Sequence, residues 1–149
     1  NIHPAAAAAI PTFDAVIIGP GSFYTSLVPI FLPNGVREAV AAVDGPIVLV
    51  TNLLTEGRGM RGFSVAAAVS RISEAIGRGV DVVIVNTGNP GDESLARYAA
   101  EHKEPLPVGD VPDGCEVVTG EFWRGEFARH ARRRLAYAVW GVLSQRLLR

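Results

Sequence analysis

Residues 14–26 read Asp-Ala-Val-Ile-Ile-Gly-Pro-Gly-Ser-Phe-Tyr-Thr-Ser, and this stretch decides the fold class. The apolar run Ala15–Ile18 has no polar alternation, which predicts a strand buried on both faces of a parallel sheet. The run breaks into Gly19-Pro20-Gly21, and hydroxyl-bearing residues follow at once. A strand that ends in a glycine turn brings backbone N–H groups close to a ligand. We therefore predict an anion or nucleotide pocket at the carboxyl edge of an α/β sheet.

Two familiar phosphate-binding motifs are absent from this stretch. Tyr24 stands where a dinucleotide fingerprint would have its third glycine, and no Gly-Lys-Ser or Gly-Lys-Thr of a Walker loop follows. A strand followed by a glycine turn can also close a tight corner without binding anything. The local pattern therefore leaves both interpretations open.

Composition sets the broad class of the protein. The 149 residues amount to one domain, and 48% of them are hydrophobic, which is enough for a core. The single cysteine, Cys115, excludes an internal disulfide and suits a cytoplasmic location. We see no apolar run of membrane-spanning length and no signal peptide, so no membrane partner is expected. Because the chain starts at Asn1 rather than at methionine, we expect it to be a piece of a longer protein.

Charge is distributed unevenly along the chain. Residues 1–123 carry a net charge of −7, and residues 124–149 carry +6. The acidic body argues against a nucleic-acid partner. The basic segment predicts a final helix over about Glu126–Leu148. Its apolar stripe comprises Phe127, Ala131, Leu135, Ala138 and Val142 and is expected to dock on the sheet together with Tyr137 and Trp140. Use of this helix as a subunit or partner surface, including a homo-oligomer contact, stays open.

Strand and helix patterns alternate along the chain. Predicted strands cover Ala15–Ile18, Ile47–Thr51, Val80–Val85, Leu106–Val108 and Glu116–Thr119. Predicted helices include Val36–Val43, a segment capped by Ser64 and ended by Gly77, and a segment capped by Asp92 that runs to about His102. The second of these has an apolar stripe of Val65, Val69, Ile72 and Ile76. This alternation predicts a Rossmann-like, three-layer α/β fold, with a parallel sheet and helices on both faces, as a single domain over residues 1–149.

Three loops rich in glycine and small polar residues follow predicted strands. They are loop 1 (Gly19–Ser26), loop 2 (Asn52–Gly62) and loop 3 (Asn86–Asn89). Because parallel strands end at the same edge of a sheet, the three loops are expected to meet there. This convergence favours a ligand pocket more strongly than any one loop does.

Several residues are candidates for holding a phosphate or sugar, the glycines through their backbone N–H groups and the others through their side chains. They are Gly19, Gly21, Ser22, Tyr24, Thr25 and Ser26 in loop 1, Asn52 in loop 2, Asn86 in loop 3, and Arg58 and Arg61 as a phosphate clamp. A core position for Tyr24, backbone capping by the two asparagines and solvation of the arginines are the competing interpretations. No cluster of His, Cys, Asp and Glu predicts a protein-bound metal. Magnesium carried by the phosphates of a nucleotide diphosphate is compatible with this pocket.

Loop 1 followed by Pro29 resembles the Gly-Pro-Gly-Ser-x-Tyr-Thr-Ser-x-x-Pro signature of the gluconeogenesis-factor family. This is the YvcK-like branch of the CofD/YvcK superfamily. Residues 52–55, Asn-Leu-Leu-Thr, are similar to its Asn-Leu-Met-Thr, which adds Thr55 to the candidates. Residues 62–64, Asn86 and the pair Arg129-His130 also match family positions in the same order.

The sequence departs from that family in three places. Residues 56–61 read Glu-Gly-Arg-Gly-Met-Arg where the family usually has Gln-Pro-Gly-Glu-Thr-Asp. An Asp-His pair is replaced by Ala67-Ala68, and an Asp-Pro pair by Ala131-Arg132. The family's N-terminal glycine-rich nucleotide loop is also absent, so the resemblance implies the C-terminal part of a larger domain.

The resemblance implies a regulator of carbon and cell-wall metabolism that binds a nucleotide or a nucleotide sugar such as a UDP-sugar. The alternative is a CofD-like transferase, which moves 2-phospho-L-lactate from a nucleotide diphosphate carrier to a deazaflavin with magnesium. A second alternative is a non-catalytic interaction domain with a vestigial pocket.

Overall fold

The computed structural model describes residues 1–148. Within this range the strands are β1 Val16–Ile18, β2 Ile47–Val50, β3 Val82–Asn86, β4 Glu116–Gly120, β5 Trp123–Arg124 and β6 Phe127–His130. The α-helices in the same range are α1 Pro4–Ala9, α2 Val36–Ala41, α3 Val65–Ile76, α4 Asp92–Ala100 and α5 Arg132–Leu147. A π-helical turn, Phe23–Leu27, and 3-10 turns at Ile10–Thr12, Val28–Phe31 and Arg58–Met60 complete the helical elements.

The first four strands form one parallel sheet in the order β1-β2-β3-β4. Strands β5 and β6 form a separate antiparallel hairpin. The register places Val16 opposite Ile47, Val48 opposite Val82, and Val82 opposite Glu116. The predicted parallel α/β sheet is therefore confirmed, and its carboxyl edge is where loops 1, 2 and 3 begin.

Alternate residues of the central strands enter two different hydrophobic clusters. Ile47 and Leu49 pack with residues of α2 and α3 on one face. Val48 and Val50 pack with residues of α5 and the hairpin on the other. A buried valine or isoleucine contributes about 1.5–3 kcal/mol, so these strands stabilise both layers at once. The three-layer arrangement with helices on both faces is confirmed.

Helix α3 follows its sequence prediction closely. The Ser64 Oγ accepts a hydrogen bond of 3.1 Å from the Ala67 N–H at its start. Gly77 ends the helix with φ of +75°, a conformation that glycine adopts without steric cost. The predicted apolar stripe is buried against the sheet and comprises Val65, Val69, Ile72 and Ile76.

Strand β1 does not have the predicted burial on both faces. It pairs with β2 only among residues 1–148 and lies at an edge of the sheet. The Ile17 side chain is 47% exposed, because α5 packs over β3 and β4 and does not reach β1. An uninterrupted apolar run thus indicated a parallel strand correctly but did not indicate its position in the sheet.

The predicted final helix over Glu126–Leu148 is wrong in its first turn and a half. The chain turns back at Gly125, with φ of +59°, to form the β5–β6 hairpin, and α5 begins at Arg132. Phe127 is 63% exposed on β6, where the side chains of a strand alternate. Docking of α5 through Tyr137 and Trp140 is also wrong, because both side chains point to solvent.

Residues that do anchor α5 belong to its predicted stripe. Leu135, Ala138 and Val142 pack against the sheet with the hairpin residue Trp123. The stripe was therefore placed correctly from Leu135 onward, and the aromatic residues between its members lie on the outer face.

The connection between α4 and β4 crosses the carboxyl edge of the sheet. Leu106 donates its N–H to the Leu53 carbonyl at 3.3 Å, and Val65 donates to the Pro107 carbonyl at 2.8 Å. A predicted strand over Leu106–Val108 is wrong, because these residues bind loop 2 and the start of α3 through isolated contacts.

The predicted Asp92 cap is also wrong: Gly91 is the N-cap, and Asp92 lies in the first turn.

Candidate functional site

Loop 1 is fastened to the end of β2 by the side chain of Asn52. The Asn52 Oδ1 accepts from the Gly21 N–H at 3.2 Å, and its Nδ2 donates to the Gly21 carbonyl at 2.9 Å. One amide side chain thus satisfies both backbone polar groups of Gly21 in the glycine turn. The two loops therefore behave as one structural unit at the carboxyl edge.

A carboxylate from loop 2 lies inside loop 1. Glu56 Oε1 accepts from the Phe23 N–H at 2.8 Å and from Asn52 Nδ2 at 2.7 Å. Its Oε2 accepts from the Ser22 hydroxyl at 2.8 Å. The Thr25 hydroxyl in turn donates to the Ser22 oxygen at 2.5 Å. Donors that the sequence suggested for a ligand anion are thus engaged with the protein's own carboxylate, which the sequence reasoning missed.

Glycine is required where loop 1 begins. Gly19 has φ of +82°, and a Cβ there would lie 2.7 Å from the Val50 carbonyl oxygen. A side chain at this position is disfavoured both by the left-handed backbone and by that contact. The close approach keeps loop 1 against the last residue of β2.

Loop 3 is organised by Asn86, the last residue of β3. Its Oδ1 accepts from the Gly88 N–H at 3.1 Å and from the Phe122 N–H at 2.8 Å, and its Nδ2 donates to the Gly88 carbonyl at 2.9 Å. The Asn86 amide therefore closes loop 3 and binds it to the residue before β5. This arrangement agrees with the backbone-capping interpretation of Asn86.

The three loops surround two adjoining cavities. One, of about 230 Å³, lies between Asn52, Asn86, Thr87 and Trp123. The other, of about 440 Å³, lies between Gly21, Asn52, the hairpin and the end of α4. Asn52 and Leu53 line both, so the two cavities adjoin along the carboxyl edge and are together called the cleft. The structure brings loops 1, 2 and 3 together here.

The larger cavity contains side chains that the residue patterns did not single out. Tyr98, whose hydroxyl accepts from the Ala128 N–H at 2.8 Å, and Lys103 both line it. Lys103 lies 2.6 Å from Glu101, and the hydrogen bond and negative charge of that carboxylate raise the pKa of Lys103. Their approach to loop 1 depends on the path of the chain after α4, which local sequence patterns do not report.

His130 lies at the same cavity, at the end of β6. Its Nε2 is 3.2 Å from the Thr51 carbonyl oxygen. Burial lowers the pKa of His130, and the contact with the Thr51 carbonyl opposes this effect only in part. Because a carbonyl oxygen only accepts, this contact requires the proton on Nε2. The resemblance had marked this position, whereas residue spacing alone had not.

Tyr24 is not a core residue. Its side chain is 42% exposed, which makes the core interpretation wrong. The ring makes an edge-to-face contact with Phe23 at 5.1 Å between centroids, and the Arg71 guanidinium lies 5.9 Å from its centroid. Thr25 and Ser26 are exposed beside it. This part of loop 1 is accessible to a ligand.

The remaining candidates of loop 2 lie away from the cleft. Thr55 is buried, and its hydroxyl accepts from the Glu104 N–H at 3.0 Å. Arg58 and Arg61 are exposed, and the Arg58 guanidinium lies 2.8 Å from the His102 Nε2. None of these three residues lines either cavity.

Residues 1–148 offer neither a cluster of metal ligands nor a membrane-spanning helix. That range contains no group of three or more His, Cys, Asp and Glu side chains able to hold a metal ion. Over the same range, no helix combines the length and apolar character needed to cross a membrane.

Comparison with known proteins relates the chain to one family. A family model described as "2-phospho-L-lactate transferase CofD" matches residues 1–123. The chain is 32% identical over 143 residues to a putative gluconeogenesis factor of Aquifex aeolicus, covering 91% of the chain and 43% of that protein. It is 31% identical over 144 residues to the gluconeogenesis factor of Listeria monocytogenes, covering 95% and 45%.

A solved structure has the same fold. The crystal structure of a Bacillus halodurans protein, described as a member of the UPF0052 family, superposes with a TM-score of 0.80 at 27% identity. The superposition covers 93% of this chain and 46% of that protein. The chain therefore spans less than half the length of these relatives.

Proposed function

Because this chain belongs to the CofD family, we propose that it binds a nucleotide or nucleotide sugar in the cleft at the carboxyl edge of its sheet, as part of a gluconeogenesis-factor-like regulator. One observation carries the proposal. Asn52 lines both cavities and also holds loop 1 against β2, so three loops that follow parallel strands share one cleft. In open α/β sheets, ligands bind in such crevices beyond the carboxyl ends of the strands.

The cleft is suited to a ligand with both polar and flat parts. Asn89 and Thr87 provide amide and hydroxyl groups, while Leu53 and Trp123 form an apolar wall. A sugar or phosphate needs the amide and hydroxyl groups, and a nucleobase needs the apolar wall. The relatives are named gluconeogenesis factors, a name that states no catalysed reaction, so a regulatory role is the first candidate.

A second candidate is a transferase that acts on a nucleotide diphosphate conjugate. It is supported by the description of the family model, which names 2-phospho-L-lactate transfer. The two functions differ in product formation, because only a transferase consumes a deazaflavin acceptor together with its donor.

The test is a calorimetric titration of UDP-N-acetylglucosamine and then GDP into the full-length protein. The matched variants are Thr87→Tyr, which places a ring in the cleft, and Thr119→Tyr, a change of an exposed threonine on β4 that lines neither cavity. We expect saturable UDP-sugar binding that weakens about tenfold in Thr87→Tyr and is unchanged in Thr119→Tyr. Preference for GDP with turnover of a deazaflavin acceptor would favour the transferase. Binding of neither nucleotide would overturn the proposal.

A further inference from the structure

The Glu56 carboxylate occupies the position at which loop 1 would hold an anion. It accepts from the Ser22 hydroxyl, the Phe23 N–H and the Asn52 amide, all at 2.7–2.8 Å. Hydrogen bonds to an ionised group at these distances are strong. A phosphate group placed in loop 1 would need the same donors.

The negative charge of Glu56 has no neutralising partner in the described residues. Among residues 1–148, no lysine or arginine nitrogen lies within 4.0 Å of its carboxylate oxygens. A phosphate group beside loop 1 would therefore meet a like charge in a half-buried setting, where solvent screens poorly. Occupied donors and uncompensated charge both act against a second anion.

The same carboxylate retains the capacity to accept from a neutral group. Two carboxylate oxygens offer about four acceptor positions, of which the protein's donors use three. Exposed Thr25 and Ser26 add hydroxyl groups at the rim of the loop. Loop 1 thus has the chemistry to bind a hydroxyl-bearing ring.

We infer that Glu56 determines specificity, making loop 1 accept the sugar part of the ligand and refuse its phosphates. The inference rests on the proposed function, since it assigns the sugar part of a nucleotide sugar to loop 1, beside the cleft, where Gly21 and the Glu56 partner Asn52 line the larger cavity. The phosphates then lie elsewhere in the cleft. This inference gives the Glu56 carboxylate a role in ligand selection beyond its contacts within the protein.

The test compares Glu56→Gln and Glu56→Ala with Glu74→Ala, a control at an exposed glutamate of α3. Binding of UDP-N-acetylglucosamine, UDP and inorganic pyrophosphate to the full-length protein is measured by calorimetry. Unmodified protein is expected to prefer the UDP-sugar to UDP, and Glu56→Gln to reduce that preference about fivefold. Glu56→Ala, which frees the three donors, is expected to gain pyrophosphate affinity by about tenfold.

Failure of this inference is distinguishable from failure of the proposed function. Equal ligand preferences in Glu56→Gln and Glu74→Ala, or no gain of pyrophosphate binding in Glu56→Ala, would overturn the assignment of Glu56 even if the UDP-sugar binds. Absence of nucleotide binding in every form would overturn the proposed function, and the pyrophosphate titration would still decide whether loop 1 is closed to anions. If Glu56→Ala does not fold by circular dichroism, pyrophosphate gain is measured on Glu56→Gln, which keeps an acceptor for the Phe23 N–H.

Discussion

The cleft is built from two junctions that use the same residue type differently. At the junction of loops 1 and 2, the Asn52 amide binds the Gly21 backbone and the Glu56 carboxylate. At the junction of loop 3 with the hairpin, the Asn86 amide binds only backbone groups, those of Gly88 and Phe122. The second junction closes a turn. The first also positions the Glu56 charge beside the cleft, and it is this charge that we propose to act in ligand selection.

The largest expected effect concerns the contact that seats loop 1 on β2. Gly19→Ala is expected to lower the free energy of unfolding by about 3 kcal/mol, because the left-handed backbone disfavours a side chain and its Cβ would lie 2.7 Å from the Val50 oxygen. The measurement is urea denaturation followed by circular dichroism.

Gly62→Ala is the matched control for Gly19. Gly62 has a similar φ of +74°, but a Cβ there meets no atom within 4 Å. We expect a loss of about 1 kcal/mol, which represents the backbone conformation alone. Equal losses in the two variants would show that the contact with β2 does not hold loop 1.

A direct test of the comparison removes each amide in turn. Asn86→Ala is expected to lower the free energy of unfolding by about 2–3 kcal/mol, since it leaves the Gly88 and Phe122 N–H groups without their acceptor. Asn52→Ala is expected to cost about 1–2 kcal/mol, because Glu56 still binds Ser22 and Phe23. Asn89→Ala, which removes one contact with the Gly91 N–H in the same loop, serves as the control. A greater loss for Asn52 than for Asn86 would reverse the comparison.

Features that the sequence predicted correctly are those encoded in neighbouring residues. The apolar runs predicted at Ile47–Thr51 and Val80–Val85 indicated buried strands, observed at Ile47–Val50 and Val82–Asn86, and Ser64 and Gly77 indicated both ends of α3. The meeting of three loops followed from one fact, that parallel strands share a carboxyl edge. These inferences needed no knowledge of distant contacts.

What the sequence did not predict depends on residues far apart in the chain. The acceptor role of Glu56 arises from donors more than thirty positions earlier, which no local pattern reveals. The hairpin was not predicted because the residue pattern of Phe127–His130 fits a helix as well as a strand. Gly125, where the chain turns back, was the one local signal for a turn in this segment. Exposure of Ile17 and Trp140 depends on which neighbouring layer covers each element.

A smaller expected effect concerns His130, which joins the hairpin to the loop 1–loop 2 side of the cleft. Burial lowers the pKa of His130 from 6.5, so the unfolded chain binds a proton at this residue more readily than the folded protein. The contribution of neutral His130 to the free energy of unfolding is therefore complete above pH 6.5. It is lost as the pH falls from 6.5 toward the lower pKa of the folded protein. Between pH 8 and pH 5.5, the melting temperature is expected to fall further in the unmodified protein than in His130→Gln. Equal losses would mean that His130 titrates normally.

The smallest expected effect separates the outer part of loop 2 from its inner part. Arg58 is exposed and contacts only the ring of His102 among the hydrogen bonds of residues 1–148, whereas Glu56, two residues earlier, has three partners in or beside loop 1. Arg58→Ala is therefore expected to change the free energy of unfolding by less than about 0.5 kcal/mol. Denaturation measures this directly, and the calorimetric titration tests the same variant for ligand affinity. A tenfold loss of nucleotide affinity would show that Arg58 acts as a phosphate clamp and that the ligand extends past the cleft. Loop 2 would then take part in binding along its whole length rather than at its first turn alone.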